Sequence, residues 1–462
     1  MPSNALFAPM FTTAAMHEAV GAESWLQATL DTEAALAAAE AKVGVISLES
    51  AEAIRAACRP EYFDASEIGR AGAAAGNPVV PLVDALRARL PASVAADVHR
   101  GATSQDILDT AAALIWRRAI ALLLADLDRA AAACAALARA HGDTLMAART
   151  LMQQAVPTTF GFKAAGWLGG LLEVRELLER YRLTRPAVQF GGAAGTLASL
   201  DADGPAVARA FAAELGLAEP LMPWHTARAR VAELAALLGV TSGAAGKAAL
   251  DIALLSQSEV GEVAERTAPG RGRSSAMPHK RNPVGVMAVN ACVRRAQAIV
   301  PVLMGAMLQE HERALGAWQA EWEPLGELFE LTGAAVATLA DVLDGLQVDT
   351  AAMRRNLDAT GGLVMAEGVA AVLAPILGRD AAQSVVQAAA GRAIDHGTTL
   401  REELLQDPAV AARIPVALTD AALDPAGYLG SAQYFTARVL AAYEATRPRQ
   451  EEGHGSTAVS RP

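Results

Sequence analysis

The sequence has few cysteines, few aromatic residues and few charges. Three of the 462 residues are cysteines, and only 4% are aromatic and 19% charged. An odd number of widely spaced cysteines gives no disulfide framework, so we expect Cys58, Cys134 and Cys292 to be reduced and buried. The hydrophobic fraction of 53% excludes the disordered and fibrous classes, and the net charge of −11 argues against a nucleic-acid binder.

The sequence also lacks a recognisable targeting segment. Its first residues have neither the basic start nor the apolar core of a secretory signal. The apolar runs at 111–116 and 119–125 are broken by Arg117 and Asp126, too early to span a bilayer. We therefore predict a cytoplasmic protein without a membrane partner.

Alanine supplies much of the apolar content, in helical spacing, and alternating runs of β-branched residues are nearly absent. This pattern predicts an all-α fold with a central bundle of long helices. The expected long helices cover 107–140, 226–265, 283–312 and 325–346. The predicted domains are an N-terminal helical domain at 1–105, a central bundle at 106–345, a C-terminal helical domain at 346–446 and a disordered tail at 447–462.

The segment 267–283, TAPGRGRSSAMPHKRNP, interrupts two predicted long helices. Seven Lys or Arg residues and no Asp or Glu lie between 266 and 309, which inverts the overall charge locally. Cations and hydroxyls before a helix that begins at Pro283 suit a small polyanion, because a helix start adds free N–H donors. A solvated basic loop or a salt-bridge patch between subunits is the commoner explanation of such a cluster.

Three other polar stretches lie at predicted helix borders. Residues 99–106 lead into the first long helix, with Ser104 or Asp106 able to cap it. The two glutamines of 149–161 are either satisfied core amides or donors to a buried carboxylate. His311 and Arg313, beside a tryptophan pair, form either a surface or an anchor for a carboxylate.

Several common motifs are missing. Residues 239–247 lack the spacing of a phosphate-binding loop, and Gly270 and Gly272 have no third glycine of a dinucleotide fingerprint. No histidine pair has zinc-ligand spacing. We therefore expect neither cofactor nor metal.

Two of these segments resemble a known superfamily. Residues 274–283, SSAMPHKRNP, resemble the signature loop of the fumarase/aspartase superfamily, and residues 101–106, GATSQD, resemble its first shared region. Supporting stretches such as QQAVPTTFGFKAAGWL, QFGGAAGTLASL and QEHERALGAWQAEW extend the resemblance over almost the whole chain. Within the superfamily, the chain is most similar to the 3-carboxy-cis,cis-muconate cycloisomerases.

The resemblance implies a homotetramer without a cofactor, whose active sites are shared between subunits and bind a small polycarboxylate. It implies Ser274 and Lys280 as catalytic residues, which compete as candidates for the proton carrier. The implied substrate-binding residues are Thr103, Ser104, Gln153, Met277, His279, Asn282 and Arg313.

Two positions depart from the superfamily pattern. Leu151 stands where lyases that expel water, amines or nucleotides generally have a histidine for proton transfer. A carboxylate leaves as a stable anion and needs no such proton, so Leu151 fits the opening or closing of a lactone. Arg273 stands where the superfamily usually has glycine before the serines.

These observations predict an enzyme that interconverts 3-carboxy-cis,cis-muconate and 4-carboxymuconolactone, in protocatechuate degradation. The alternatives are another lyase with a stable-anion leaving group, such as a nitrite-releasing one, or an adenylosuccinate lyase. A catalytically silent tetrameric scaffold is the alternative from a different class.

Overall fold

The protein was analysed as a computed structural model, which describes residues 5–266, 272, 277 and 280–446. The predicted catalytic Ser274, the predicted ligand His279 and Arg273 lie outside the described residues, as does the tail for which disorder is predicted.

Helices make up most of the described chain. The α-helices are α1 Ala14–Val20, α2 Ala22–Val43, α3 Leu48–Ala57, α4 Ala65–Ala75, α5 Val79–Arg87, α6 Ala92–Ala95, α7 Ser104–Ala140, α8 Phe160–Thr184, α9 Gly204–Leu215, α10 Ala229–Leu255, α11 Val284–Gly305, α12 Trp322–Asp344, α13 Thr350–Asp358, α14 Ala366–Leu377, α15 Arg379–His396, α16 Leu400–Gln406, α17 Pro408–Arg413, α18 Val416–Ala422 and α19 Ala432–Thr446. Short 3₁₀ helices lie at Ala8–Met10, Pro60–Tyr62, Ala198–Asp203, Gln319–Glu321, Leu363–Met365 and Pro425–Tyr428. The strands are β1 Leu145–Thr150, β2 Gln153–Thr159, β3 Val263–Ala264 and β4 Gln347–Val348.

The chain divides into two compact units. Unit 1 takes in Met1–Ala130, Glu173–Leu255 and Ala264–Gln347, and unit 2 takes in Ala131–Leu172, Ser256–Val263 and Val348–Pro462. The three-way division predicted from the sequence is a different one and stays a prediction.

The core of unit 1 is made by α10, α11 and α12, which pack against one another. Two glycines let α10 and α11 approach closely: a Cβ on Gly239 would lie 2.9 Å from Val300 Cγ2, and one on Gly246 would lie 3.0 Å from Val293 Cγ1. Glycine lowers the stability of a helix interior, but at these two positions it allows the helices to pack closely.

Unit 2 combines a hairpin with short helices. β1 and β2 pair antiparallel, with Thr150 opposite Gln153, and α13 packs on β1. A second cluster of buried apolar residues joins α14, α15 and α16, including Val369, Leu373 and Leu404.

The all-α class and the buried, free cysteines are confirmed. Burial raises the pKa of the Cys134 thiol to about 12, so this thiol stays protonated and unreactive. The β1–β2 hairpin was not predicted, because 145–150 lacks the alternation of a half-buried strand. Helix α8 was not predicted either.

The search of the sequence for membrane-spanning segments missed two candidates, and the absence of a membrane partner stays a prediction. By length and composition alone, α10 and α11 are apolar enough to cross a membrane. The sequence reasoning considered the runs broken by Arg117 and Asp126, which belong to α7, and overlooked these two helices.

Candidate active site

The superfamily-like segment 101–106 forms the start of the 37-residue helix α7. Asp106, in the first turn, accepts a hydrogen bond from Thr103 N at 3.0 Å, as predicted for a capping residue. The hydroxyls of Thr103 and Ser104 have no hydrogen-bond partner among the described residues, and both side chains are half-buried. These two hydroxyls are therefore free to bind a ligand.

Asp106 organises the surroundings of these hydroxyls. Its buried carboxylate accepts from Gly191 N at 3.1 Å and Gly192 N at 2.8 Å, and lies 2.6 Å from His225 Nε2. Because a buried carboxylate is costly unless fully hydrogen-bonded, this set fixes the glycine loop beside the start of α7. His225 is thus a structural histidine that helps to hold the buried carboxylate.

A second buried ion cluster lies one helical turn further along α7. Arg228 donates to both oxygens of Asp109, at 2.7 and 3.0 Å, and to the Glu321 carboxylate. Burial lowers the pKa of Arg228, but the two carboxylates outweigh burial and raise it overall. Burial raises the pKa of Glu321. The Trp318 indole donates to Asp109 at 3.0 Å, which links the 310–322 segment to α7.

Arg313, predicted to anchor a substrate carboxylate, contacts the same region. Its Nη1 donates to Gln105 Oε1 at 3.0 Å, and its Nη2 donates to the carbonyls of Gly192 and Ala193 at 3.1 and 2.9 Å. These contacts show a guanidinium that holds the glycine loop in place. Its role as a carboxylate anchor stays a prediction.

Backbone strain concentrates around this cluster. Four of the six described non-glycine residues with positive φ are in this part of unit 1: His99 (61°), Leu197 (52°), Asp201 (49°) and His311 (44°). Gly192 (φ 66°) is required where its loop meets residue 101, because a Cβ there would lie 2.8 Å from Gly101 O. Strain of this kind persists where packing over-determines the backbone, as at functional sites.

Of the segment 267–283, which contains the signature loop, the structure describes Gly272, Met277 and 280–283. Lys280 N donates to Met277 O at 3.0 Å, and Asn282 N donates to Gly272 O at 2.9 Å. The side chains of Lys280 and Met277 are exposed, and that of Asn282 is half-buried. The three stand at or just before the start of α11, as predicted.

Two of the N–H groups at this helix start are already paired within the described chain, and the binding of a polyanion by the segment stays a prediction. The Glu265 carboxylate accepts from Gly285 N at 3.1 Å and Val286 N at 2.8 Å, so the protein's own anion occupies these donors. Glu265 lies just before the stretch without acidic residues, so the charge count did not include it. These two N–H groups are therefore unavailable to an external anion while Glu265 holds them.

The segment of unit 2 that carries Gln153 is the β1–β2 hairpin. Its two-residue turn consists of Leu151 (φ 50°) and Met152 (φ 68°), which are 97% and 70% exposed. Two positive φ values define a type I′ turn, which favours Asn-Gly; for other residues each left-handed position costs about 1–2 kcal/mol. Gln153 is exposed beside the turn. By contrast, the side-chain amide oxygen Oε1 of Gln154 is buried and has no hydrogen-bond partner in the described part of the chain.

The strand before this turn is anchored through Arg149. Arg149 Nη1 and Nη2 donate to the two oxygens of Glu262 at 2.9 and 2.7 Å, and the Glu262 side chain is fully buried. The Asn356 amide donates to Glu262 Oε1 at 2.8 Å. Sequence reasoning missed this contact because its three residues are far apart along the chain.

A cavity of about 1230 Å³ lies elsewhere in unit 1. Trp25, Leu82 and Trp322 line it, together with the His17–Glu330 pair. Of the predicted site residues that the structure describes, none lines this cavity. Among the described residues, no group of three His, Cys, Asp or Glu side chains is placed to hold a metal ion; the absence of a metal from the reaction stays a prediction.

Comparison with known proteins agrees with the resemblance seen in the sequence. A family described as "Lyase" matches residues 10–298, and a family described as "Adenylosuccinate lyase C-terminus" matches residues 362–439. The chain belongs to the fumarase/aspartase superfamily of lyases. It is therefore an enzyme of that superfamily, as predicted.

Its relatives within the superfamily match over almost their whole length. The 3-carboxy-cis,cis-muconate cycloisomerase of Pseudomonas aeruginosa is 46% identical, over 96% of this chain and 98% of the relative. The nitrosuccinate lyase of Streptomyces davaonensis is 45% identical, over 92% of each chain. The crystal structure of the 3-carboxy-cis,cis-muconate lactonizing enzyme from Pseudomonas putida matches with a TM-score of 0.91 at 44% identity, covering 96% of this chain and 99% of that one.

Proposed function

We propose that this chain is a cycloisomerase that interconverts 3-carboxy-cis,cis-muconate and 4-carboxymuconolactone without a cofactor. The observation that carries the proposal is 44–46% identity, over 89–96% of this chain, to three curated bacterial cycloisomerases of that name. Function within a superfamily depends on the site more than on the fold, so the chemistry of the site must also be compatible with this reaction.

The reaction is an isomerisation, so all atoms are retained. One carboxylate oxygen of the substrate bonds to a carbon of the conjugated diene and closes the lactone ring. The electron pair displaced from the diene is delocalised onto another carboxylate as an enolate-like species, which then takes a proton on carbon. In the reverse direction that proton is removed and the carboxylate leaves as an anion.

Leu151 fits this chemistry. A hydroxide or amine leaving group needs a proton from the enzyme, whereas a carboxylate does not, and leucine has none to give. Leu151 is also 97% exposed at the end of a hairpin, so it is available to contact a ligand or another subunit. An apolar group at this position also helps to exclude water from a lactone that water would hydrolyse.

The site residues keep the roles that the resemblance gives them. Lys280 and Asn282 stabilise the enolate-like charge, since preorganised donors to a developing anion commonly give the largest catalytic term. Glu265 occupies two N–H groups at the start of α11. We therefore assign the stabilisation of this charge to the side chains of Lys280 and Asn282 and not to the helix start. Ser274 or Lys280 carries the proton, and Thr103, Ser104, Gln153, Met277, His279 and Arg313 bind the substrate.

The active form is a homotetramer with sites shared between subunits, located in the cytoplasm. Exposed apolar side chains on α10 and α11 support it, including Val240, Leu250, Met287 and Val302, each about half-exposed in the single chain. Apolar helix faces of this kind need cover, and copies of the same bundle can supply it.

A nitrite-releasing lyase is the second candidate. It is favoured by the relative from Streptomyces davaonensis, named a nitrosuccinate lyase. Nitrite is also a stable anion, so Leu151 is compatible with both reactions.

A substrate panel separates these candidates. The purified protein is given 3-carboxymuconate, nitrosuccinate and adenylosuccinate at equal concentration, and loss of diene absorbance, release of nitrite and formation of fumarate are followed. We expect kcat/KM for 3-carboxymuconate to exceed the others by at least 100-fold. A higher kcat/KM for either of the other two substrates would refute the proposal, and no turnover of any would favour a silent scaffold.

A further inference from the structure

Arg149 occupies an unusual place in the hairpin of unit 2. One residue, Thr150, separates it from the turn Leu151–Met152, which has positive φ at both positions. Its guanidinium makes the parallel two-point contact with a carboxylate that only arginine can make, to the buried Glu262. The direction of the strand is therefore fixed immediately before the strained turn.

The partner carboxylate is itself held in place. Asn356 of α13 donates from Nδ2 to Glu262 Oε1 and to Val260 O, both at 2.8 Å. Asp349 N, just before α13, donates to Glu262 O at 2.9 Å. The network thus joins β1 to a second chain segment and a helix of the same unit.

We propose that Arg149, held by Glu262 and Asn356, is a positioning residue that maintains the type I′ turn and so aims Leu151 and Gln153 for the reaction. This inference rests on the proposed function, in which Gln153 binds the substrate and Leu151 helps to exclude water from it. The Arg149–Glu262–Asn356 network acts only through the turn, and none of its three members contacts the substrate.

Two physical arguments favour positioning over stabilisation alone. A buried ion pair is weak as a source of stability, because desolvation offsets the attraction between its charges. A turn of leucine and methionine does not adopt type I′ geometry by preference, so surrounding contacts must hold it there. The Arg149–Glu262 pair is a contact of this kind at the adjacent end of β1.

The test compares Arg149→Lys with a matched control. Arg392→Lys alters an arginine of the same unit that also binds a nearly buried glutamate, Glu403, away from the hairpin. Both variants keep the positive charge and lose the fork of the guanidinium. The measurements are the melting temperature, kcat and KM on 3-carboxymuconate, and amide hydrogen exchange of 150–154.

We expect similar small losses of melting temperature in the two variants. Arg149→Lys should lower kcat by about 10-fold or more, since a small misplacement of a contacting group is costly, and should speed exchange at 150–154. Arg392→Lys should change neither kcat nor that exchange. Equal kcat for both variants, or a loss in Arg149→Lys that follows the fraction unfolded, would overturn the proposal.

A double variant separates turn geometry from other effects. Met152→Gly favours type I′ geometry by itself, so the kcat penalty of Arg149→Lys should be smaller in the Met152→Gly background. An equal penalty in both backgrounds would contradict positioning through the turn. If wild type does not convert 3-carboxymuconate, the proposed function fails, while the exchange measurement still decides whether Arg149 holds the turn.

Discussion

At the scale of single residues, buried carboxylates organise both parts of the molecule that carry predicted site residues. Asp106 holds the glycine loop beside Thr103 and Ser104, and Glu262 holds the strand before Leu151. Each carboxylate accepts several hydrogen bonds, which is the condition for burying a charge at acceptable cost. The residues predicted to contact ligand are therefore oriented by buried residues for which no ligand contact is predicted.

Lys280 is the described residue with the most direct predicted role. Lys280→Ala should lower kcat by roughly 100-fold or more with little change in melting temperature, because its exposed side chain gives a donor to the developing anion. Lys42→Ala, which removes an exposed lysine in the last turn of α2, is the control and should keep full activity. An unchanged kcat in Lys280→Ala would exclude this role.

Glu40 predicts a pH dependence of stability. Its side chain is fully buried with no hydrogen-bond partner for either oxygen in the described chain, and burial, with repulsion from Glu33, raises its pKa from 4.5 to about 8. The folded state then binds the proton more tightly than the unfolded state, so the free energy of unfolding falls as pH rises from about 4.5 to 8. At about 1.4 kcal/mol per pKa unit, the loss amounts to a few kcal/mol.

Glu40→Gln should remove most of this loss and melt at a higher temperature than wild type at pH 9. The exposed Glu52→Gln serves as control and should follow wild type at every pH. If the melting temperatures of wild type and Glu40→Gln change with pH in parallel, the pKa of Glu40 is not raised and the prediction is contradicted.

At the scale of elements, the long helices could be predicted and the hairpin could not. α7 was expected at 107–140 and spans Ser104–Ala140, because 37 residues without glycine or proline leave no other choice. α10 and α11 end earlier than expected, at Leu255 and Gly305. The stretch after α10 is rich in polar residues and contains Gly261 with positive φ, which favours the end of a helix. β1–β2 depends on pairing within unit 2 and on an anchored turn, which local residue patterns do not encode.

The contact at the start of α11 gives a prediction at the same scale. Glu265→Ala frees two N–H groups of the first turn and should lower the free energy of unfolding by about 1 kcal/mol, as loss of a helix cap does. It should also raise KM, because Lys280 and Asn282 stand directly before that turn. Added formate can occupy the freed N–H groups, so it should partly restore KM in Glu265→Ala and have no such effect in wild type.

At the scale of the whole molecule, the superfamily could be recognised from two short segments, and the proximity of distant ones could not. The signature segments predicted Thr103 and Arg313 as site residues, but the contacts that join 101–106, 191–193 and 313 depend on tertiary packing. Likewise, Glu265 and Glu262 lay just outside the segments that the motifs marked. Sequence patterns predicted the candidate site residues, whereas the residues that hold them in place could be identified only from the fold.

Sharing of active sites between subunits can be tested by complementation. Thr103→Ala and Lys280→Ala should each be nearly inactive, and mixed tetramers of the two should regain part of the wild-type activity, since some sites then contain neither substitution. The check is activity after the subunits are dissociated and reassembled together, against each variant reassembled alone. No recovery in confirmed mixed tetramers would count against shared sites.

The central claim is that this chain closes a lactone by carboxylate attack and takes up one proton on carbon. The most direct measurement is NMR of the product formed from 3-carboxy-cis,cis-muconate by the purified protein in D₂O. We expect 4-carboxymuconolactone with one deuterium on the carbon next to a carboxylate, formed at a rate that falls about 100-fold in Lys280→Ala. Unchanged substrate, or a product without a lactone ring, would contradict it.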